Sequence, residues 1–410
     1  MNSMLEFNEA LEKVLKHVRR LLPVKLSIAE SLGFVLAEEI KTKEPVPLFD
    51  SSSVDGYAVR LQDIHNASDD HPVHLAMQST VSAGFAPPQL LKPFHTIKVM
   101  TGAVLPKKAD AVVMKELVKA KGETLVFTSE IREGANLRRR GEEFGKGDIV
   151  FSKGTNVTPP VIGMCATLGL ASLKVYRKPR VAMVITGNEL RSPSSQLRRG
   201  QVRDSNSYAL AAALKSAGIT PSLVLQVRDN KEMLSKAFAR ALKKADVVIS
   251  AGGVSVGDFD YVKQVLSDLR VKTIFWRVAM KPGKPNYFGT RGKKLVFGLP
   301  GNPVSAMVSL ETLVMPALRK IMGIHFSEAL HQDAVIEFDL KRNGGRTEFV
   351  RAFASRSDDG RYTVKPAVGQ GSHMVGGLAG ANCLIVVPKE RENIVKGDTV
   401  SIRFLSWNRL

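Results

Sequence analysis

Between residues 180 and 322 the chain alternates short apolar runs with helical segments, and no other feature constrains its fold as tightly. Residues 180–186 (RVAMVIT) and 246–250 (DVVIS) are rich in β-formers and apolar almost throughout, the character of strands covered on both faces. Residues 208–217 form an alanine- and leucine-rich helix, with Ser205 and Asn206 as its N-cap and Gly218 as its stop. A strand over 220–227, an amphipathic helix over 231–244 and a helix over about 260–269 follow. A strand at 294–297 then leads through Gly298-Leu299-Pro300-Gly301-Asn302-Pro303 into a long helix reaching about residue 322. Strands spaced by helices of this length predict a parallel, doubly wound sheet.

The flanks read differently. From about 42 to 147 short alternating segments are broken by Pro45, Pro47, Pro87, Pro88, Pro93 and Pro106, which predicts a β-rich domain inserted between parts of another. Residues 145–175 pair with the region around 23–40 as a further module, and the tail from about 326 reads as a small β domain. A length of 410 residues accommodates two to four such units. Two cysteines far apart, Cys165 and Cys383, exclude a disulfide framework or a zinc cluster as the organising element. The first twenty residues read as a charged helix rather than a secretion signal, and no apolar run reaches 18 residues, so the expected location is cytoplasmic with no membrane partner. Lysine and arginine total 59 against 39 acids, a net charge of +20 that favours anionic partners without choosing among them. With 6% aromatics and no aromatic ladder among scattered basic residues, nucleic acid is not the expected ligand.

In a parallel sheet every strand-to-helix loop emerges on one edge, where ligands bind. Three loops here combine glycines with polar groups: Thr186-Gly187-Asn188-Glu189-Leu190, residues 252–260 (GGVSVGDFD), and the Leu299-Pro300-Gly301-Asn302-Pro303 turn. Glycines let backbone approach an anion and helix amides donate to it. Carboxylates in such loops repel phosphate unless a divalent cation lies between, so Glu189, Asp229, Asp258 and Asp260 together suggest a magnesium-bridged phosphate site. Asp258 or Asp260 taken alone reads better as a helix cap. Lys281-Pro282-Gly283-Lys284-Pro285 holds two ammonium groups on a stiff turn, suited to a tetrahedral oxyanion; alone it serves as well as an exposed basic turn. Residues 49–58 (FDSSSVDGYA) and 136–143 (NLRRRGEE) are polar turns of weak individual meaning, and a lone His373 is ordinarily structural. The Walker spacing, the nucleophile elbow, the zincin helix and the dinucleotide fingerprint are missing from the sequence.

The order of these segments resembles the molybdopterin molybdenumtransferases, the family of MoeA and the C-terminal domain of gephyrin. The matching motifs are Ser53-Val54-Asp55-Gly56-Tyr57-Ala58, Met100-Thr101-Gly102-Ala103, Arg138-Arg139-Arg140-Gly141-Glu142, Thr186-Gly187-Asn188-Glu189-Leu190, Asp204-Ser205-Asn206 and the Gly252–Asp258 loop. Lys281-Pro282-Gly283-Lys284-Pro285, Leu299-Pro300-Gly301-Asn302-Pro303, Glu348-Phe349-Val350-Arg351-Ala352 and Gln370-Gly371-Ser372-His373 complete the series. The resemblance implies an α/β multidomain protein: a doubly wound α/β domain (1–22 and 176–325) that binds adenylyl-molybdopterin, an elongated linking and dimerisation domain (23–44 and 145–175), an inserted β-rich domain (45–144) and a small C-terminal β domain (326–410).

It implies magnesium-dependent insertion of molybdate into adenylyl-molybdopterin with release of AMP, in a homodimer whose inserted domain covers the partner's cleft. By resemblance, Asp55, Glu189, Asp229, Asp260, Lys281, Arg138 and Glu143 are catalytic, and Glu189, Asp229 and Asp260 hold the metal. Thr101, Ser205, Gly252, Gly253, Ser255, Asp258, Arg277, Pro300 and Asn302 bind substrate, and Lys281, Lys284, Ser305, Arg351 and Ser372 take the molybdate. The family commonly has aspartate at Glu143, lysine at Arg277 and often aspartate at Asn188, which puts the roles of the first two in question. The competing readings are a molybdopterin adenylyltransferase, whose family has Gly-Gly-Thr-Gly where this chain has Gly252-Gly253-Val254-Ser255, and a non-catalytic gephyrin-like scaffold. An adenylyltransferase and molybdoenzyme-maturation proteins are the implied partners.

Overall fold

The computed structural model describes residues 4–85, 90–121, 124–253, 261–324, 331–342 and 344–408. They form two compact units: residues 1–37, 156–158 and 172–410 make one, residues 38–155 and 159–171 the other. Among the described residues no helix is long and apolar enough to cross a membrane.

The first unit is built on a six-stranded sheet. Leu223–Val227, Val181–Thr186, Val247–Ala251 and Lys294–Leu299 lie side by side in that order, all parallel. All six residues of Val181–Thr186 and all five of Val247–Ala251 are buried, because helices cover both faces. Val181, Met183 and Ile185 pack on one side with Leu210, Leu214 and the buried helix Pro303–Ser309; Ala182 and Val184 pack on the other with Leu234, Phe238 and Leu266. The sheet is not wholly parallel. Tyr287–Arg291 runs antiparallel to Lys294–Leu299, and Lys272–Trp276 antiparallel to Tyr287–Arg291. This antiparallel edge corrects the expected all-parallel sheet, and a short loop of two residues (292–293) explains it, since only a hairpin can be closed so tightly.

A second sheet of the same unit orders Leu5–Glu6, Val278–Lys281, Thr347–Arg356, Tyr362–Pro366, His331–Ile336, Thr399–Phe404 and Cys383–Val387, and closes by pairing Cys383–Val387 with Thr347–Arg356. Val278–Lys281, five residues before Asn286, thus belongs to the sheet of the tail, although the sequence reading placed it in the α/β region. Pro23–Ser27 pairs with Ser172–Tyr176 in this unit as well.

The other unit is β-rich. Its six-stranded sheet runs Ala111–Met114, Gly56–Val59, His95–Val99, Val73–Val81, Thr124–Phe127 and Val118–Lys121, around a core of Val59, Leu75, Val113 and Phe127. Ile40–Lys41 pairs with Ile149–Phe151 and Ser51–Ser52 with Leu137–Arg138.

Candidate active site

Val181–Thr186, Val247–Ala251 and Lys294–Leu299 are parallel neighbours, so Gly187, Gly252-Gly253 and Pro300-Gly301-Asn302 emerge on one edge. With Glu189, residues 202–206, Asp229, Pro285, Pro303 and His373 they line a cleft of about 590 Å³. Glycine is required on its floor. Gly252 has φ of +91°, and a Cβ there would stand 2.2 Å from the Thr186 carbonyl oxygen. Over Gly187 lies the Glu189 carboxylate, with both oxygens 2.9 Å from where a Cβ would be.

Two carboxylates of the cleft suit a cation. Glu189 is exposed and has no donor or ion-pair partner among the described residues. Asp229 accepts a hydrogen bond from the Thr186 hydroxyl, and its own N–H donates to Asn188 Oδ1 at 3.2 Å, which fixes the loop that carries it. Ser255, Asp258 and Asp260 lie outside the described residues. Among those described, no group of three or more His, Cys, Asp or Glu side chains is placed to hold a metal. Two hard oxygen donors on an open cleft nevertheless fit magnesium, which takes few protein ligands and completes its octahedron with water and phosphate oxygens.

Ser205 lines the cleft but is not the cap expected at the helix Asn206–Ser216. Its backbone is already helical, and Asp204 takes the role instead: Oδ1 accepts from Ser207 N–H at 3.0 Å and Oδ2 from Ser207 Oγ at 2.5 Å. Asn206, 6% exposed, donates through Nδ2 to Gly301 O at 2.7 Å and so ties this helix to the third loop. Asp204, Asn206, Thr186 and His373 are cleft residues that sequence reasoning did not select. The available signal was the family motifs that contain them: Asp204-Ser205-Asn206, Thr186-Gly187-Asn188-Glu189-Leu190 and Gln370-Gly371-Ser372-His373.

The five residues assigned to the oxyanion are not in the cleft lining, although Pro285, Pro303 and His373, close to them in the chain, are. Arg351 is 1% exposed; its Nη2 donates to Gly369 O at 2.8 Å, its Nε has no partner among the described residues, and burial pushes the guanidinium pKa down. Gln370 braces it, accepting from Arg351 N–H at 3.2 Å and donating to Arg351 O at 2.8 Å. Ser372 Oγ accepts from Asn302 Nδ2 at 3.0 Å, Ser305 is buried, and Lys284 is exposed. Lys281 has an acidic partner that its own turn, Lys281-Pro282-Gly283-Lys284-Pro285, does not show. Its Nζ lies 2.8 Å from Glu348, which also binds Arg342 at 3.0 Å. The acid is invisible in local sequence because Lys281 and Glu348 meet across a parallel ladder. Arg277 lies outside the cleft lining, half-buried at φ of +76°, with a buried Nε that has no partner among the described residues.

In the other unit, Asp55 Oδ1 accepts from both Thr101 N–H and Thr101 Oγ1 at 2.8 Å, with Lys115 at 3.6 Å from Oδ2. The Thr101 N–H bond, above all, holds the Asp55 carboxyl below its usual pKa. Arg138 and Glu143 are exposed.

Family models match the chain in three stretches: the MoeA N-terminal region (domain I and II) over residues 5–169, a probable molybdopterin binding domain over 182–320, and the MoeA C-terminal region (domain IV) over 333–405. The chain is 36% identical over 379 residues to the molybdopterin molybdenumtransferase of Haemophilus influenzae, covering 92% of each. It belongs to the MoeA family. Bacillus subtilis has a relative of the same name, 35% identical over 381 residues, with 92% of this chain and 88% of that one covered. The MoeA molybdopterin biosynthesis protein of Pyrococcus horikoshii superposes with a TM-score of 0.83 at 29% identity, over 98% of this chain and 99% of that chain. A MoeA fold is therefore present over almost the whole length.

Proposed function

We propose that this MoeA-family transferase inserts molybdenum from molybdate into adenylyl-molybdopterin in a magnesium-dependent reaction that releases AMP. The cleft carries the reading: two carboxylates, Glu189 and Asp229, stand beside the glycine-lined floor of Gly252 and Gly253 at the carboxyl ends of parallel strands. That floor lets a phosphoanhydride approach backbone, and Ser205, Pro300 and Asn302 bound the space for the rest of the nucleotide and pterin. Glu189 and Asp229, with Asp260, would hold magnesium, and Ser255 and Asp258 would contact the phosphates. Magnesium, when bound, offsets charge on the phosphoanhydride and makes AMP a better leaving group. Lys281, Lys284, Ser305, Arg351 and Ser372 would take the molybdate; Arg351, buried without a carboxylate partner among the described residues, is a cation in want of an anion. Held beside the dithiolene, molybdate reacts at a high effective concentration.

The test is AMP release from adenylyl-molybdopterin by the purified protein with magnesium and molybdate, coupled to reconstitution of an apo-molybdoenzyme. Conversion of molybdopterin and ATP, with no AMP released from the adenylylated substrate, would replace this reading with an adenylyltransferase; neither reaction would leave the scaffold. The reading carries a homodimer in which Asp55, Thr101, Arg138 and Glu143 of a second copy complete the site. Mixing inactive Asp55→Ala and Asp229→Ala proteins then restores part of the activity; a mixture as inactive as its components rules that arrangement out.

A further inference from the structure

The lysine turn is fastened by one side chain that neither the family motifs nor the cleft lining singles out. Asn286 is 2% exposed. Its Nδ2 donates to the Gly283 carbonyl oxygen in the middle of the Lys281–Lys284 turn and to Ser309 Oγ at 2.9 Å, with Met280 Sδ at 3.4 Å. The Asn286 backbone holds the same turn from outside: its N–H donates to Lys284 O at 3.1 Å and its carbonyl accepts from Arg277 N–H at 2.9 Å. Gly283 sits at φ of +108°, and a Cβ there would stand 2.8 Å from Ser309 Oγ and 3.2 Å from Asn286 Nδ2, so turn and carboxamide are in close contact. Ser309 closes the helix Pro303–Ser309, whose first residue lines the cleft, and Pro285, next to Asn286, lines it too.

We infer that Asn286 is a positioning residue for the oxyanion: its buried carboxamide locks the turn bearing Lys281 and Lys284 to the helix Pro303–Ser309, and so sets where the two ammonium groups stand beside the cleft. This rests on the reading of those lysines as molybdate ligands. Asn286 Oδ1 is buried without a partner among the described residues, and an orphaned acceptor destabilises relative to an apolar side chain of similar size. The retained carboxamide contributes direction to the turn. Because Lys281 is also held by Glu348 at 2.8 Å, the carboxamide acts mainly on the backbone between the lysines and on Lys284, whose side chain is exposed.

The experiment compares the KM values for molybdate and for adenylyl-molybdopterin in Asn286→Leu, alongside thermal midpoints, with Lys281→Ala as reference. Asn286→Leu is expected to raise the molybdate KM by about tenfold, the weight of one or two lost hydrogen bonds, with adenylyl-molybdopterin KM within about twofold of the parent and a lower thermal midpoint, because Gly283 O and Ser309 Oγ lose their donor. Asn286→Gln, which keeps the donor on a longer arm, recovers part of that loss. An unchanged molybdate KM, or a parallel rise in both KM values, overturns the inference. Should Asn286→Leu not fold, Ser309→Ala removes one contact of the same carboxamide and is read against the same two criteria. A Lys281→Ala protein with the parent's molybdate KM would instead bring down the oxyanion reading itself, whatever Asn286 does.

Discussion

Arg351 and Glu189 are charged groups that lack a counter-ion among the described residues, one inside the protein and one on the open cleft. A buried guanidinium with an orphaned Nε costs stability, so Arg351→Met is expected to fold with a thermal midpoint at or above the parent's while losing molybdate-dependent turnover. A lowered midpoint with unchanged molybdate dependence would make Arg351 a structural residue. Glu189→Gln keeps the shape over Gly187 but removes the charge. Its AMP release should fall by about tenfold or more, with half-maximal magnesium moved upward, because a hard cation loses one of few protein ligands. A magnesium titration identical to the parent's would take Glu189 out of the metal site. Gly252→Ala belongs to the same scale: a methyl 2.2 Å from Thr186 O, at φ of +91°, forces the strand ends apart. The cost is about 2–4 kcal/mol, visible in denaturant midpoints, and a change within about 0.5 kcal/mol would show the floor to be pliable.

Among elements, the strands that sequence made legible are those whose every residue is buried, such as Val181–Thr186 and Val247–Ala251, since double coverage leaves an unbroken apolar run. What stayed hidden was pairing at a distance. Nothing near Val278–Lys281 says that its neighbours are Leu5–Glu6 and Thr347–Arg356, so the Lys281–Glu348 ion pair could not be foreseen. The cap at Asn206–Ser216 was misplaced by one residue because Asp204 and Ser205 are both good caps, and only backbone conformation separates them. Asp246 shows how one acid sets an element's start. Burial works to raise its pKa, yet hydrogen bonds from Arg177 (2.9 and 3.1 Å) and the Arg180 N–H (2.8 Å), with both positive charges, leave it lowered. A folded pKa below the unfolded one means that the contribution is complete above the unfolded value, about 3.9, and disappears as pH falls through the folded value. Asp246→Asn should therefore be less stable than the parent by about 2 kcal/mol at pH 7, with the gap closing below about pH 4. A gap independent of pH in urea melts would mean that packing, not charge, anchors the strand.

At the scale of the molecule, the family was legible because many short motifs, each weak, occur in one order over more than three-quarters of the chain, an order no single turn or cap explains. Charge was the poorest guide, since a net +20 fits nucleic acid, phosphates and oxyanions alike. With the cleft in place it acquires a specific consequence. The proposed substrates, adenylyl-molybdopterin and molybdate, are both anions, and a cationic protein raises their encounter rate through a field that salt screens, with a Debye length of about 8 Å at physiological ionic strength. Steering acts before the substrate is bound, so it enters kcat/KM and leaves kcat alone. Raising salt from about 0.05 to 0.3 M should lower kcat/KM for adenylyl-molybdopterin severalfold at constant kcat, with chloride and acetate equivalent. Removing charges far from the cleft, for example Lys243→Gln with Lys244→Gln at the end of the helix Lys231–Lys244, should soften that dependence slightly. Replacing Arg203, which lines the cleft, should soften it much more, because the field is focused where low-dielectric walls converge on the substrate. If kcat/KM is indifferent to salt, or if kcat falls with it, the excess of basic residues is only a solvated surface and the cleft recruits its substrate by contact alone.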